Sequence, residues 1–100
     1  MTNTQISVVV PAFNEEESIP ELCSWISRVM QTHGFSYEVI FIDDGSTDNT
    51  WLQIEKENKI NSAIKGIKFN RNFGKSAALH TGFKQAVGKV VITMDADLQD

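Results

Sequence analysis

The chemistry in this sequence gathers in Asp95-Ala96-Asp97-Leu98-Gln99, directly after the apolar run Val90-Val91-Ile92-Thr93-Met94. The run reads as a buried strand, rich in β-branched residues. Side chains alternate along a strand, so Asp95 and Asp97, two apart, point the same way. Two carboxylates aimed at one point repel unless a positive charge lies between them. A hard divalent cation, which takes oxygen ligands, meets that need, and Gln99 offers a third oxygen. The plainer alternative is a solvated polar loop after a strand. The rest of the chain favours the first reading, because the same design comes three times before it.

The elements that must position these groups precede them in the chain. Ile6 to Val10 reads as a central strand, with Pro11 expected to end it. The loop Pro11-Ala12-Phe13-Asn14-Glu15 follows, then a capping box, Ser18 to Glu21, with Pro20 in the first turn. Ile19, Leu22, Ile26, Val29 and Met30 then recur at helical spacing, and Gly34 suits the stop. Tyr37 to Ile42 is the second strand and Asp43-Asp44-Gly45-Ser46-Thr47-Asp48 its loop. Glycine for the turn, and Ser46 or Asp48 as a helix cap, account for part of that loop. They leave the side-by-side carboxylates unexplained. A weaker helix over residues 49–58 places Trp51 and Ile54 inward. The third strand, residues 64–69, carries Lys65 and Lys68 and reads as an edge strand. After Asn70-Arg71-Asn72-Phe73-Gly74-Lys75 a helix capped by Ser76 presents Ala78, Leu79, Gly82, Phe83 and Ala86 on one face. Gly82 would allow close approach to a sheet, and Gly88 would end the helix.

Strands alternating with helices imply an α/β fold with a parallel sheet covered by helices. Crossovers in such sheets are right-handed, and the ligand edge lies at the carboxyl ends of the strands, where strand order reverses. The element lengths suit a strand order of 3-2-1-4. Asn14, Glu15, Asp43, Asp44, Arg71, Lys75, Asp95 and Asp97 would then converge on one edge.

Composition narrows the partners. One hundred residues suit one domain with a real core. A net charge of −4 argues against nucleic acid. The single Cys23 excludes an internal disulfide and a multi-cysteine metal site, and reads as a small packed residue. No apolar run reaches membrane-spanning length, and the first residues lack the shape of a signal peptide. A site crowded into the last six residues of a frayed terminus would be unsupported, so residues 1–100 read as the N-terminal piece of a longer protein.

Four segments carry a resemblance, in order and at matching spacing. Val8-Val9-Val10-Pro11-Ala12-Phe13-Asn14-Glu15-Glu16, Asp43-Asp44-Gly45-Ser46-Thr47-Asp48, Arg71-Asn72-Phe73-Gly74-Lys75 and Asp95-Ala96-Asp97-Leu98-Gln99-Asp100 resemble the family-2 glycosyltransferases of the GT-A fold. Within that family the chain looks most like the polyprenyl-phosphate sugar transferases, the branch of dolichol-phosphate mannosyltransferases and bactoprenol glucosyltransferases. Phe13 stands where the branch often has tyrosine. The resemblance implies a three-layer, Rossmann-like nucleotide-binding half and an inverting transfer of a hexose from a UDP- or GDP-sugar to a polyprenyl phosphate. It implies that Pro11, Ala12, Asn14 and Glu15 line the base and ribose, that Asp43 and Asp44 contact them, and that Arg71 and Lys75 face the phosphates or help shape the pocket. Asp95, Asp97 and Gln99 would hold Mg²⁺ or Mn²⁺, with Asp97 as the catalytic carboxylate. It also implies a place on the cytoplasmic side of a membrane. The acceptor half, the base and any membrane segments would lie beyond Asp100, so residues 1–100 alone are expected to transfer no sugar.

Two other readings compete. Gly74-Lys75-Ser76 matches the end of a P-loop, but the glycine that motif needs five residues earlier is Phe69. A non-enzymatic phospho-acceptor receiver domain also gathers aspartates around Mg²⁺ on a parallel sheet. It has no place for the Pro11–Glu15 loop, and here the aspartate pair follows the second strand.

Overall fold

The structure, a computed structural model, describes residues 3–96. Strands and helices alternate along them: β1 (Ile6–Ala12), α1 (Ile19–His33), β2 (Tyr37–Asp43), α2 (Thr50–Ile60), β3 (Ile64–Lys68), α3 (Lys75–Gln85) and β4 (Val90–Thr93). The strands form one parallel sheet in the expected order, β3-β2-β1-β4.

Alternation along β1 and β2 divides the apolar residues between two faces. Val8, Val10, Val39 and Phe41 meet Ile19, Leu22, Cys23, Ile26 and Met30 of α1 and Ile54 of α2. Val9, Ile40 and Ile42 meet Ala78 of α3 on the other face. Both faces of the central strands are therefore covered, which is why their middles, Val8 to Val10 and Val39 to Ile42, are unbroken apolar runs rather than alternating ones. Each such buried side chain contributes roughly 1.5–3 kcal/mol of transfer free energy. Helix α3 sits directly on the sheet: a Cβ on Gly82 would lie 2.3 Å from Val9 Cγ1 and 2.9 Å from Ile42 Cδ1.

At the other end of the strands from the predicted ligand loops, a buried polar clasp ties the sheet together. Ser7 and Glu38 are register partners on β1 and β2, both buried. Ser7 Oγ donates to Glu38 Oε2 (2.5 Å) and accepts from the Gly88 N–H (2.8 Å). Glu38 also accepts from the Val87 N–H (2.8 Å) and from Lys65 Nζ of β3 (2.8 Å). One carboxylate thus joins β1, β2, β3 and the turn that leads into β4. Burial pushes its pKa up, but the bonds from Lys65, Ser7 and Val87 outweigh burial and hold it below the ordinary value.

Several local expectations need correction. β1 does not stop at Pro11 but runs through it to Ala12, with Pro11 opposite Ile42. Val9 O accepts from Met94 on the β4 side, and Ala12 O accepts from Asp44 on the β2 side. By alternation the Pro11 nitrogen faces the β4 side, past Thr93, the last β4 residue, which pairs with Val9. β1 is a local edge there, and proline is tolerated at an edge. Helix α1 starts after Ser18, but the Ser18 side chain makes no capping bond; its carbonyl instead accepts from the Leu22 N–H. Ser76 is not a cap: α3 begins at Lys75, behind Gly74. The helix ends at Gln85 rather than at Gly88, and Phe83 is exposed. Strand β4 is short and exposed, not buried: Val90, Val91 and Ile92 keep 55%, 40% and 40% of their surface. Gly34, by contrast, does stop α1, at φ 71°.

Cys23 is buried on α1, the small packed residue expected from its place in a helical pattern. Burial and the neighbouring Glu57 carboxyl push its thiol up to about 12, so it is an inert packing residue.

Candidate functional site

The carboxyl ends of the strands open on one edge, and the loops there are knitted together by their own side chains. Asn14 leads the first loop at φ 54°, a left-handed conformation that asparagine tolerates better than most residues. Its N–H donates to Ser46 Oγ (2.8 Å), and its Oδ1 accepts from the Thr47 N–H (2.8 Å). The Glu15 N–H donates to Thr50 Oγ1 (2.8 Å), and the Glu16 N–H to Asp48 Oδ2 (3.4 Å). Asp48 also takes the N–H and the hydroxyl of Thr50, the first residue of α2. Burial raises the Asp48 pKa, and these bonds more than reverse it. The N-cap of α2 is Asn49, which makes no side-chain capping bond, so neither residue foreseen as the cap, Ser46 or Asp48, stands there: Asp48, one residue earlier, holds Thr50, and Ser46 bridges to the first loop.

The two adjacent aspartates do different work. Both are buried. Asp43 Oδ1 accepts from the Ser46 N–H at 3.0 Å, closing the turn of its own loop. Asp44 reaches across to the third loop. Its Oδ1 accepts from the Phe73 N–H (2.8 Å) and its Oδ2 from the Gly74 N–H (3.1 Å). Asn72 Nδ2 donates to Asp44 Oδ2 (3.3 Å) and to the Asp44 carbonyl (3.2 Å). Gly45 lets the two loops touch: a Cβ there would lie 2.3 Å from Arg71 C and 2.4 Å from Asn72 N, and its φ is +76°.

Between these loops and the end of β4 lies a cleft of about 310 Å³, lined by Pro11, Ala12, Phe13, Glu15, Asp44, Lys75, Asp95 and Ala96. Lys75, at the start of α3, reaches Asp95 Oδ1 at 2.9 Å, and both side chains are exposed. Six of the residues named from the sequence are therefore brought to one cavity: Pro11, Ala12, Glu15, Asp44, Lys75 and Asp95. Asn14 and Asp43 brace the loops behind it. Arg71 turns aside, its guanidinium 4.1 Å from the centre of the Phe73 ring. Asp97 and Gln99 lie outside the described residues, and among the described residues no three acidic, histidine or cysteine side chains form a metal cluster.

The geometry also bears on the P-loop reading. A P-loop cradles phosphates with its backbone N–H groups. Here the N–H groups of Phe73 and Gly74, just ahead of Lys75, are spent on the Asp44 carboxylate. Phe13, which the sequence singled out only as a departure from the tyrosine usual in the branch, lines the cleft and is 45% exposed.

Solved structures share this fold. A mannosyltransferase from Pyrobaculum calidifontis, in complex with GDP-Man and Mn²⁺, is 26% identical with a TM-score of 0.78, matching 97% of this chain and 28% of its own. S. aureus TarS in complex with UDP-GlcNAc is 30% identical with a TM-score of 0.76, over 94% of this chain and 27% of its own. Glucosyl-3-phosphoglycerate synthase from Mycobacterium tuberculosis, in complex with Mn²⁺, UDP and glucosyl-3-phosphoglycerate, is 28% identical with a TM-score of 0.76, over 97% of this chain and 35% of its own. The chain thus spans about a third or less of each. The family model for glycosyl transferase family 2 matches residues 7–100. With that match, and a sheet order that agrees with it, the chain belongs to glycosyl transferase family 2.

Proposed function

We propose that this chain is the donor-nucleotide half of an inverting hexosyltransferase, which takes a UDP- or GDP-sugar in the cleft and passes the hexose to a polyprenyl phosphate bound by a longer protein. The observation that carries the reading is the cleft itself, where Lys75 and Asp95 face each other at the carboxyl ends of parallel strands. The similar structures hold GDP-Man with Mn²⁺, UDP with Mn²⁺, and UDP-GlcNAc. The polyprenyl acceptor rests on the Arg71–Lys75 and Asp95–Asp100 segments, which resemble that branch. A cytoplasmic membrane face goes with that acceptor; among the described residues no helix is long and apolar enough to cross a membrane.

Each group then has a task. The first loop and the Asp43–Asp44 strand end form the nucleoside side of the cleft, braced from behind by Asn14 and Ser46. Lys75, and Arg71 if its stacking yields, supply positive charge to the diphosphate. Asp95 is a hard oxygen donor at the rim of the cleft and suits Mg²⁺ or Mn²⁺, with Asp97 and Gln99 completing the set. A divalent ion bound there supplies Lewis-acid neutralisation of the leaving diphosphate. The acceptor phosphate, already anionic, attacks the anomeric carbon with an oxygen lone pair. The bond from that carbon to the diphosphate oxygen breaks, its electron pair leaves with the nucleotide, and configuration inverts.

Calorimetry of the intact protein with UDP-glucose, GDP-mannose and ATP tests this. The expected result is binding of one nucleotide-sugar, tighter with Mn²⁺ or Mg²⁺. Metal-dependent binding of ATP with no response to either nucleotide-sugar would overturn it.

A further inference from the structure

Strand β3 ends the sheet on the side away from β4, and its outer edge is only half closed. In the parallel ladder with β2, the Val39 N–H donates to Ala63 O (2.8 Å) and the Phe69 N–H to Asp43 O (2.9 Å). Backbone direction alternates along such a ladder, so Lys65 and Ile67 turn their N–H and C=O groups toward β2, and Ile64, Gly66 and Lys68 turn theirs outward. Ile64 is closed off: its N–H donates to Asn61 O (3.0 Å), and its carbonyl accepts from Asn58 Nδ2 (2.6 Å). Among the described residues no strand and no such cap meets the outward groups of Gly66 and Lys68. Beside this open stretch lies a cavity of about 370 Å³ that shares no residue with the cleft of Lys75 and Asp95. Trp51 and Ile54 of α2 form its apolar wall, so close to the strand that a Cβ on Gly66 would lie 2.9 Å from Trp51 Cζ3 and 2.7 Å from Ile54 Cγ2. Lys59 lines it too, Glu55 is the one acidic residue that does, and Lys68 Nζ lies 6.0 Å from the centre of the Trp51 ring. Lys65 is held by Glu38, but Lys59 and Lys68 make no ion pair among the described residues. A chain of net charge −4 thus carries unpaired positive charge along an open strand edge.

We propose that the outer edge of β3 is a docking site for an extended, acidic segment of a partner protein, which adds a strand beside Gly66 and Lys68. Main-chain bonds to the open groups of those two residues hold the added strand, and side-chain contacts select it. An apolar side chain enters the slot against Trp51 and Ile54, and carboxylates two residues to either side of it meet Lys59 and Lys68. Side chains two apart on a strand share a face, so this spacing turns all three toward α2. A second copy of this chain is a poor occupant, because it would set lysine against lysine across the pair. The lysines that repel a copy attract an acidic strand. The assignment does not depend on the donor-binding reading.

The test titrates the intact protein with the acetylated, amidated peptide Thr-Glu-Thr-Val-Thr-Glu-Thr, while the Gly66 and Lys68 amides are followed by chemical shift and hydrogen exchange. Two control peptides accompany it: one with lysine in place of glutamate, and one with its backbone nitrogens methylated, which removes the donors an added strand needs. The acidic peptide is expected to bind with a dissociation constant of roughly 0.1 mM, the scale of a few main-chain bonds and one small apolar contact. Exchange at Gly66 and Lys68 should slow on binding, and high salt should weaken the complex about tenfold. Neither control should bind. Lys59→Glu combined with Lys68→Glu should weaken the acidic peptide at least about tenfold and leave the unfolding transition in place. Should that double variant lose cooperative unfolding, the three peptides against wild-type protein decide the matter by themselves. Equal binding of the acidic and basic peptides, or a double variant that folds and binds as wild type, would overturn the charge selection and the assignment with it. Binding that survives methylation, protection confined to another strand such as β4, or no binding at millimolar peptide would each overturn strand addition at β3.

Discussion

Strands β2 and β4 are made of similar residues and lie in the same sheet, yet they have opposite fates. Val39, Ile40, Phe41 and Ile42 of β2 are essentially inaccessible, whereas Val90, Val91 and Ile92 of β4 are each at least 40% exposed. The difference lies in what covers them. Helices α1 and α2 close one face of β2 and β1, and α3 closes the other. Among the described residues, strand β4 lies at the end of the sheet order and pairs only to β1. The same contrast holds at the ligand edge. The first three loops are bound to one another through Asn14, Asp44, Ser46, Asp48 and Thr50, most of them at least partly buried. The end of β4 meets the rest of the cleft through an exposed ion pair, Lys75 to Asp95. A β-branched run thus specifies a strand, and its neighbours decide whether it is core.

The largest effect separating the two regions is on activity rather than stability. Asp97→Asn in the intact protein removes one carboxylate from the β4 end, where the proposed metal chemistry resides. A loss of about 4 kcal/mol of leaving-group stabilisation corresponds to roughly a thousandfold in rate. Sugar transfer should fall by that order while the melting temperature holds; near wild-type turnover would show Asp97 to be a solvated loop residue. Next comes a matched pair of truncations. In the chain of residues 1–100, Ile42→Ala, fully buried, should cost about 2–5 kcal/mol in chemical denaturation, whereas Ile92→Ala, 40% exposed, should cost less than about 1 kcal/mol. Equal costs would mean that β4 is as well covered as β2, and the contrast would fail.

The legible part of this fold is the part that depends on local chemistry. Alternating strand and helix patterns, Gly34 as a stop and Gly82 at a close approach were readable because each depends on a few neighbouring residues. Pro11 was misjudged because its tolerance depends on where β4 ends, which is a property of register. Ser18 and Ser76 were assigned capping roles from sequence pattern alone, and backbone bonds or a preceding glycine do the work instead. Asp43 and Asp44 look equivalent in the sequence, but alternation sends one side chain to its own turn and the other to a loop some thirty residues away. The Ser7–Glu38 clasp was passed over. Its signal is in the sequence: each is the second residue of a strand and is followed by an apolar run, and a parallel register places them opposite each other.

That clasp provides a third, smaller test, because it is the link through which the well-covered strands hold the turn into β4. Glu38→Gln keeps the size but loses the ionic acceptor, and should cost about 1–3 kcal/mol. The pH dependence follows from a folded-state pKa held below the ordinary value. The stabilisation is present above the unfolded-state pKa and is lost as pH falls through the folded one. Wild-type stability should therefore drop in the acid range below the ordinary carboxylate pKa, and Glu38→Gln should flatten that part of the profile. An unchanged acid slope would show that the charge on Glu38 contributes nothing to folding.

The smallest effect on stability should come from the contact that completes the cleft. Lys75 and Asp95 are 64% and 69% exposed, so water and salt screen their attraction and both side chains lose rotamer freedom to make it. Lys75→Met should change unfolding free energy by no more than about 0.5 kcal/mol, and raising the salt concentration should erase even that. The same substitution should weaken diphosphate binding far more than it weakens the fold, because a pair that contributes little to folding is free to exchange partners when an anionic ligand arrives. Denaturation at low and high salt, set beside nucleotide titration of the same variant, measures both quantities. A stability loss above about 1 kcal/mol that persists in high salt would mean that the pair is a structural tie of β4 to the cleft. Lys75 would then be held by the fold rather than free to meet a ligand.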